Sequence, residues 1–189
     1  EISECLVGSE MCIRDSHGTD RGLVAGLLGM RPDDERIPDS FEIARKMSLS
    51  YSFGIANLTS AHPNSVVLEV KGKSGRTLEV QACSLGGGRI MINRLDGLDV
   101  NCSCEIPTLI VHNLDQPGHV AEVTSMLAHK SVNIANMSLY RDKRGGSAVM
   151  VVEMDQPLPK ESLEWLEHLE GIVKVTYINV TEGEEDDVL

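Results

Sequence analysis

The sequence predicts an α+β protein of two units: a first domain whose helices precede a small, largely antiparallel sheet, and a second of order βαββαβ. Three observations carry this. The apolar period is helical up to about Leu49 and strand-like from Tyr51, and the β-rich runs that follow are separated by Gly- and Pro-containing turns. From Ile106 strands and helices alternate in the order of a ferredoxin-like unit. With 189 residues, 41% of them hydrophobic, the chain can build two small cores.

In the first domain, "TDRGLVAGLLGM" reads as a helix that Thr19 or Asp20 caps, with Leu23, Leu27 and Leu28 as its apolar stripe and Gly29 as its stop. "RPDDERIPDS" is a turn-rich connection. "SFEIARKMSL" is a second helix, capped by Ser40 or Asp39, with Phe41, Ile43, Ala44 and Met47 toward the core. The runs "YSFGIANL", "SVVLEVKG", "TLEVQACS" and "RIMINRLDG" are strands, divided by "HPN", "KSGR" and "LGGGR".

A polar stretch, "NCSCE" at 101–105, is expected to bridge to the second domain, 106–180. There "IPTLIVH" is a strand, and "QPGHVAEVTSMLAHKS" a helix with Pro117 near its start and Val120, Val123, Thr124 and Leu127 inward. "VNIANMSLYRD" and "GSAVMVVEMD" form a hairpin through Gly145 and Gly146. "PKESLEWLEHLEG" is a helix closing at Gly171, and "IVKVTYINV" the last strand.

The net charge is −12, but the acids concentrate in residues 1–16 and in the "EGEEDD" tail, so the body is only mildly acidic. The tail, 181–189, reads as solvated and frayed. Aromatics are 3% and there is no Lys/Arg stripe, which argues against nucleic acid. No apolar run reaches the roughly 18 residues of a membrane span, and residues 1–16 lack the pattern of a secretory signal, so a cytoplasmic location is the default expectation. With Cys5 and Cys12 set aside, Cys83, Cys102 and Cys104 remain, an odd set without disulfide-framework spacing. Cys102-x-Cys104 is a weak metal motif against the simpler reading of ordinary thiols, and no metal is expected on this chain.

Three constellations could carry chemistry. In "HNLDQPGHV" a strand delivers the chain to a helix start whose free N–H groups favour an anion. Asn113, Asp115, Gly118 and, from the next strand, Asn133 would suit the ammonium and carboxylate of an amino acid. The plainer reading is that Asp115 caps the helix and Asn133 makes a turn. In "AHPNSVVLEV" with "SLGGGRI", the N–H groups of Gly86, Gly87 and Gly88 can form an anion nest that His62 and Asn64 complete; the alternative is a glycine hairpin with a bulge. In "HGTD", His17, Thr19 and Asp20 offer a base, a hydroxyl and a carboxylate, or simply a helix entry.

"LDQPGHVAEVTSMLAHKSVNIANMSLYR" resembles an ACT domain, a regulatory module that senses amino acids. That resemblance implies an effector held between two modules, on Asn113, Asp115, Gly118 and Asn133, and pairing of the modules into a homodimer. In order, "HGTDRGLVAGLLGM", "RIPDSFEIA", "HPNSVVLEV", "SLGGGRI" and the ACT-like unit resemble the beta subunit of the iron-sulfur-dependent L-serine dehydratase (L-serine ammonia-lyase) family over residues 17–181. This implies a heteromer that converts L-serine to pyruvate and ammonia, with a [4Fe-4S] cluster held by three cysteines of a separate alpha subunit and none bound here. The beta chain would complete and regulate the site and would be inactive alone. Its catalytic residues would be His17, Thr19 and Asp20, and its substrate or anion site His62, Asn64 and Gly86 to Gly88. The rival reading is a non-catalytic amino-acid-sensing module like that of phosphoglycerate dehydrogenase, although no GxGxxG fingerprint is present. Residues 1–16, "EISECLVGSEMCIRDS", resemble translated sequencing-adapter read-through, so they are expected to be a non-native leader on a first domain truncated at its N-terminus.

Overall fold

The computed structural model describes residues 2–9 as backbone, and residues 18–55, 58 and 61–179 in full. His17 and the 181–189 tail lie outside the described residues. By its internal contacts the chain divides into two compact units between Gly97 and Leu98, a few residues before the polar stretch expected to be the bridge.

The first unit opens with β1 (Ile2–Ser9), followed by α1 (Thr19–Leu27), a 3-10 turn at Ile37–Asp39 and α2 (Ser40–Lys46). Strands β2 (Ser50–Ile55), β3 (Ser65–Gly72), β4 (Thr77–Gly86) and β5 (Arg89–Leu95) complete it. Strand β1 runs parallel to β2 and antiparallel to β3, between them. The sequence sets residues 1–16 apart by their resemblance to adapter read-through; in the structure residues 2–9 join the sheet through backbone pairing, which needs no side-chain period to form. β3, β4 and β5 then follow as antiparallel neighbours.

The helices fold where expected but are capped differently. Gly18, at φ 67°, is the N-cap of α1, and neither Thr19 nor Asp20 makes a side-chain cap. Asp39 holds the N-cap position of α2, also without a side-chain bond. Ser40 instead donates its hydroxyl to the Arg21 carbonyl at 3.0 Å, stitching α2 to α1. The buried face of α1 is Val24 and Ala25, with Leu27 and Leu28 at its margin. Met47, expected inward, is 62% exposed, because α2 ends at Lys46 and the chain turns through Ser48 at φ 58°. Val24, Ala44 and Leu49 form the small core beside Phe41, Tyr51 and Phe53. Phe41 stacks on Tyr51 with ring centroids 5.3 Å apart, and Phe53 meets Tyr51 edge-on at 5.7 Å.

The second unit begins with β6 (Leu98–Cys102), which the sequence reading does not anticipate; Val100, Cys102 and Cys104 are buried there. Next come β7 (Thr108–Leu114), α3 (His119–His129), β8 (Ile134–Arg141), β9 (Ser147–Met154), α4 (Lys160–Glu167) and β10 (Ile172–Ile178). The sheet order β10-β7-β9-β8, antiparallel throughout, is that of a ferredoxin-like βαββαβ unit. The core lies between sheet and helices, from Leu109, Val111, Met150, Val152 and Val175 on the strands to Val123, Leu127 and Leu166 on the helices. Two inward assignments on α3 change. Val120 is 37% exposed, and the Thr124 hydroxyl returns to the Val120 carbonyl at 2.8 Å, while His119 and Met126 are buried in their stead. Gly118, one residue after Pro117, is the N-cap, and the buried stripe runs through His119, Val123, Met126 and Leu127.

Candidate functional site

The β7–α3 loop, where three predicted binding residues sit, is braced by the β8–β9 hairpin. Asp115 does not cap α3, which has Gly118 as its N-cap at φ 112° and no side-chain cap. Its carboxylate instead accepts from the Gly145 N–H at 2.9 Å and from the Arg141 guanidinium at 3.0 Å. The Asp115 N–H returns to the Gly146 carbonyl at 2.9 Å, closing a ring between loop and hairpin. The Gly145 N–H, aided by Arg141 and Arg144, holds the Asp115 carboxyl below the usual carboxylate range against the opposing effect of burial. Arg141 was missed in the sequence. Its signal is a cation just before the Gly-Gly hairpin, and its charge is met by the Asp115 carboxylate.

Asn113, 6% exposed, donates to the Leu114 carbonyl at 2.6 Å, while its Oδ1 meets no hydrogen-bond partner among the described residues. His119, at the first position of α3, is equally buried; its Nδ1 lies 3.2 Å from Glu122 and its Nε2 also lacks a partner among the described residues. The loop thus brings a buried amide oxygen, a buried histidine and the start of a helix close together in sequence, and the N–H groups of a helix start are what favours an anion there.

Asn133 is not part of this cluster within one chain. Asn113 is level with Ala148 on β9, whereas Ile134, the neighbour of Asn133, is level with Met154. Six strand residues at about 3.3 Å each put roughly 20 Å between the two positions. At that far end the Asn133 side-chain amide donates to the Asp155 carboxylate, and its backbone N–H donates to Gln156 Oε1 at 2.7 Å.

In the first unit the glycines make a hairpin. Gly86, Gly87 and Gly88 have φ of 82°, 64° and 77°, and Gly86 pairs with Arg89 after a register shift. These glycines form a tight turn with a bulge. His62 and Asn64 stand at the same end of the sheet: the Asn64 N–H donates to His62 Nδ1 at 3.1 Å, and the Asn64 carbonyl accepts from Ser84 N–H at 3.0 Å. Thr19 and Asp20 open α1 at another place in the unit, where Asp20 accepts from the Arg21 N–H at 2.8 Å.

A cleft of about 650 Å³ lies between α3 and α4, with Glu122, Met126, His129 and the half-exposed Trp165 on its walls. None of the predicted residues lines it. Among the described residues no three His, Cys, Asp or Glu side chains come together as a metal site. The described thiols are Cys83 and the Cys102–Cys104 pair, which do not make a three-thiolate set for an iron-sulfur cluster. No helix among the described residues is long and apolar enough to cross a membrane.

Strand order, the glycine helix start and the braced hairpin together define the second unit as an ACT domain, and the ACT family model matches residues 107–170. The resemblance extends well beyond that unit. The L-serine dehydratase beta chain of Peptoniphilus asaccharolyticus is 33% identical over 165 residues, covering 87% of this chain and 74% of that one. The probable L-serine dehydratase beta chain of Bacillus subtilis is 33% identical over 162 residues, covering 86% and 73%. The chain belongs to the L-serine dehydratase beta-chain family. A D-3-phosphoglycerate dehydrogenase of Methanocaldococcus jannaschii is 31% identical over 90 residues, but only 17% of that enzyme is matched, so it fits the sensing-module alternative alone.

Proposed function

We propose that the chain is the beta subunit of a heteromeric, cytoplasmic L-serine dehydratase, which it completes and regulates in partnership with an alpha subunit. The observation that carries the reading is the 33% identity spread over 87% of the chain, across both units rather than the ACT domain alone. In this reading L-serine loses its Cα proton and hydroxyl and yields pyruvate and ammonia. A [4Fe-4S] cluster on the alpha subunit supplies the Lewis acid. His17, Thr19 and Asp20, at the entry to α1, face the alpha subunit's site, and His17 moves a proton there. His62, Asn64 and the N–H groups of Gly86 to Gly88 hold an anionic group of the substrate.

The ACT unit pairs with a second copy and senses an amino acid. An antiparallel approach of two β8 edges sets the start of one β8 beside the end of the other, which lies level with Asn113. The 20 Å between Asn113 and Asn133 within one chain is thereby bridged across the pair. No nucleic acid takes part.

Co-expression with an alpha subunit tests the assignment. The expected result is a co-purifying complex that releases pyruvate from L-serine, inactive when either subunit is omitted, in which His17→Ala depresses turnover while cluster absorbance is retained. An isolated chain that binds serine tightly, yet neither captures an alpha subunit nor confers activity, would establish the sensing module instead.

A further inference from the structure

Where β6 runs out toward β7, two thiols touch. Cys102 is the last residue of β6, and Cys104 follows after one intervening residue in left-handed backbone at φ 55°, a conformation that residues with a Cβ seldom adopt. That turn swings the Cys104 side chain back onto Cys102, and the two Sγ atoms lie 3.2 Å apart with both residues buried. Separations of this size favour one chemistry over another. A single tetrahedral metal ion with bonds of about 2.3 Å holds its sulfurs nearly 4 Å apart and needs further ligands, and no third donor joins the pair among the described residues. A disulfide needs only that the sulfurs close by a little over 1 Å.

We infer that Cys102 and Cys104 are a redox-active dithiol, oxidised by small hydroperoxides to an intrachain disulfide and restored by thiol reductants. The thiol hydrogen bond from Cys104 lowers the Cys102 pKa to about 7 against the opposing effect of burial, which favours Cys102 as the thiolate of the touching pair. The same bond, with burial, keeps Cys104 protonated. The roles follow. The Cys102 thiolate attacks the peroxide O–O bond, giving Cys102–SOH and hydroxide (or alkoxide). Cys104 then displaces the sulfenic hydroxyl, forming the S–S bond, and its proton leaves with that oxygen as water. Two electrons pass from the two sulfurs to the peroxide. The ring closes over one intervening residue, Ser103, whose hydroxyl is held by Glu153 at 3.4 Å. So short a ring is strained, which makes it an easily reduced, reversible disulfide rather than a structural one.

Trypsin isolates the pair. The peptide 95–130 carries Cys102 and Cys104 and no other cysteine, and 77–89 carries Cys83. The full chain is exposed to equimolar hydrogen peroxide at pH 7, denatured in iodoacetamide and digested. The expected product is a 95–130 peptide 2 Da lighter and unalkylated, formed at least tenfold faster than Cys83 is modified and returned to the alkylated form by dithiothreitol (orders of magnitude from thiolate reactivity). Cys104→Ser should abolish the loss of 2 Da and leave a dimedone-reactive Cys102. Peptide 95–130 remaining fully alkylated while Cys83 is oxidised, or linked only to a second chain, would overturn the inference, and that result requires no variant to fold.

Discussion

Gly171 immediately precedes β10 with φ of 82°, and a Cβ placed there would stand 2.6 Å from both Cε1 and Nε2 of His119. Two costs of Gly171→Ala therefore add. Left-handed backbone at a residue with a Cβ costs roughly 1–2 kcal/mol. The His119 ring is 6% exposed and has little room to retreat, and overpacking of that kind costs roughly a further 1–3 kcal/mol. The second unit should lose about 2–5 kcal/mol in all. Gly145→Ala is the control: its φ is 74°, but nothing lies within 4 Å of the added Cβ, so only the conformational cost of about 1–2 kcal/mol applies. Urea unfolding followed by the fluorescence of Trp165, the sole tryptophan, reads this unit. In a His119→Ala background, Gly171→Ala should fall to the cost of Gly145→Ala. Equal losses for the two glycine variants in the wild-type background would refute the packing argument.

Two further outcomes are expected. Because the folded chain holds the Asp115 carboxyl below its usual range, its contribution is complete above about pH 5 and is lost as pH falls through that lowered value. The stability difference between wild type and Asp115→Asn should accordingly be flat at neutral pH and vanish in acid, in urea titrations at successive pH values; a difference that grows in acid contradicts it. Phe41→Ala removes the ring that joins Tyr51, Phe53 and, at 5.9 Å, the Arg21 guanidinium. For a half-buried aromatic the cost is about 2 kcal/mol, or roughly 30-fold faster amide exchange in α1 and α2, and unchanged exchange would show that this cluster does not hold the helices.

Legibility in the sequence follows which physical signal each element carries. β3 and the βαββαβ order are read directly, because alternation and caps recur at each step. β1 is invisible to periodicity since its place is given by backbone pairing with β2 and β3. Burial on α3 is misread at Val120 and Thr124, since the buried stripe runs through His119 and Met126. For the site, residue types near one another in sequence come out together, as with Asn113, Asp115 and Gly118. Long-range partners do not: nothing local says that Asp115 will choose Arg141 and Gly145 over the helix it precedes. The touching of Cys102 and Cys104 is equally unreadable, because it depends on a left-handed residue that is not glycine.

Asn133 supplies the sharpest test of the effector reading. It belongs to the loop cluster by resemblance, yet the strand register sets it about 20 Å from Asn113 in its own chain. The two can serve one ligand only if each copy lends Asn133 to the other's loop, and that arrangement makes the variants complementary. Asn113→Ala and Asn133→Ala homodimers should each lose serine binding by about tenfold or more, the scale of one charge-assisted hydrogen bond. Mixed one to one and allowed to exchange, half of the dimers are hybrids. Each hybrid holds one site with both substitutions and one with neither, so about a quarter of all sites should regain wild-type affinity by isothermal titration. Recovery can arise only from a site shared between copies. A mixture that binds no better than either variant, with hybrids verified by mass spectrometry, would remove Asn133 from the effector site.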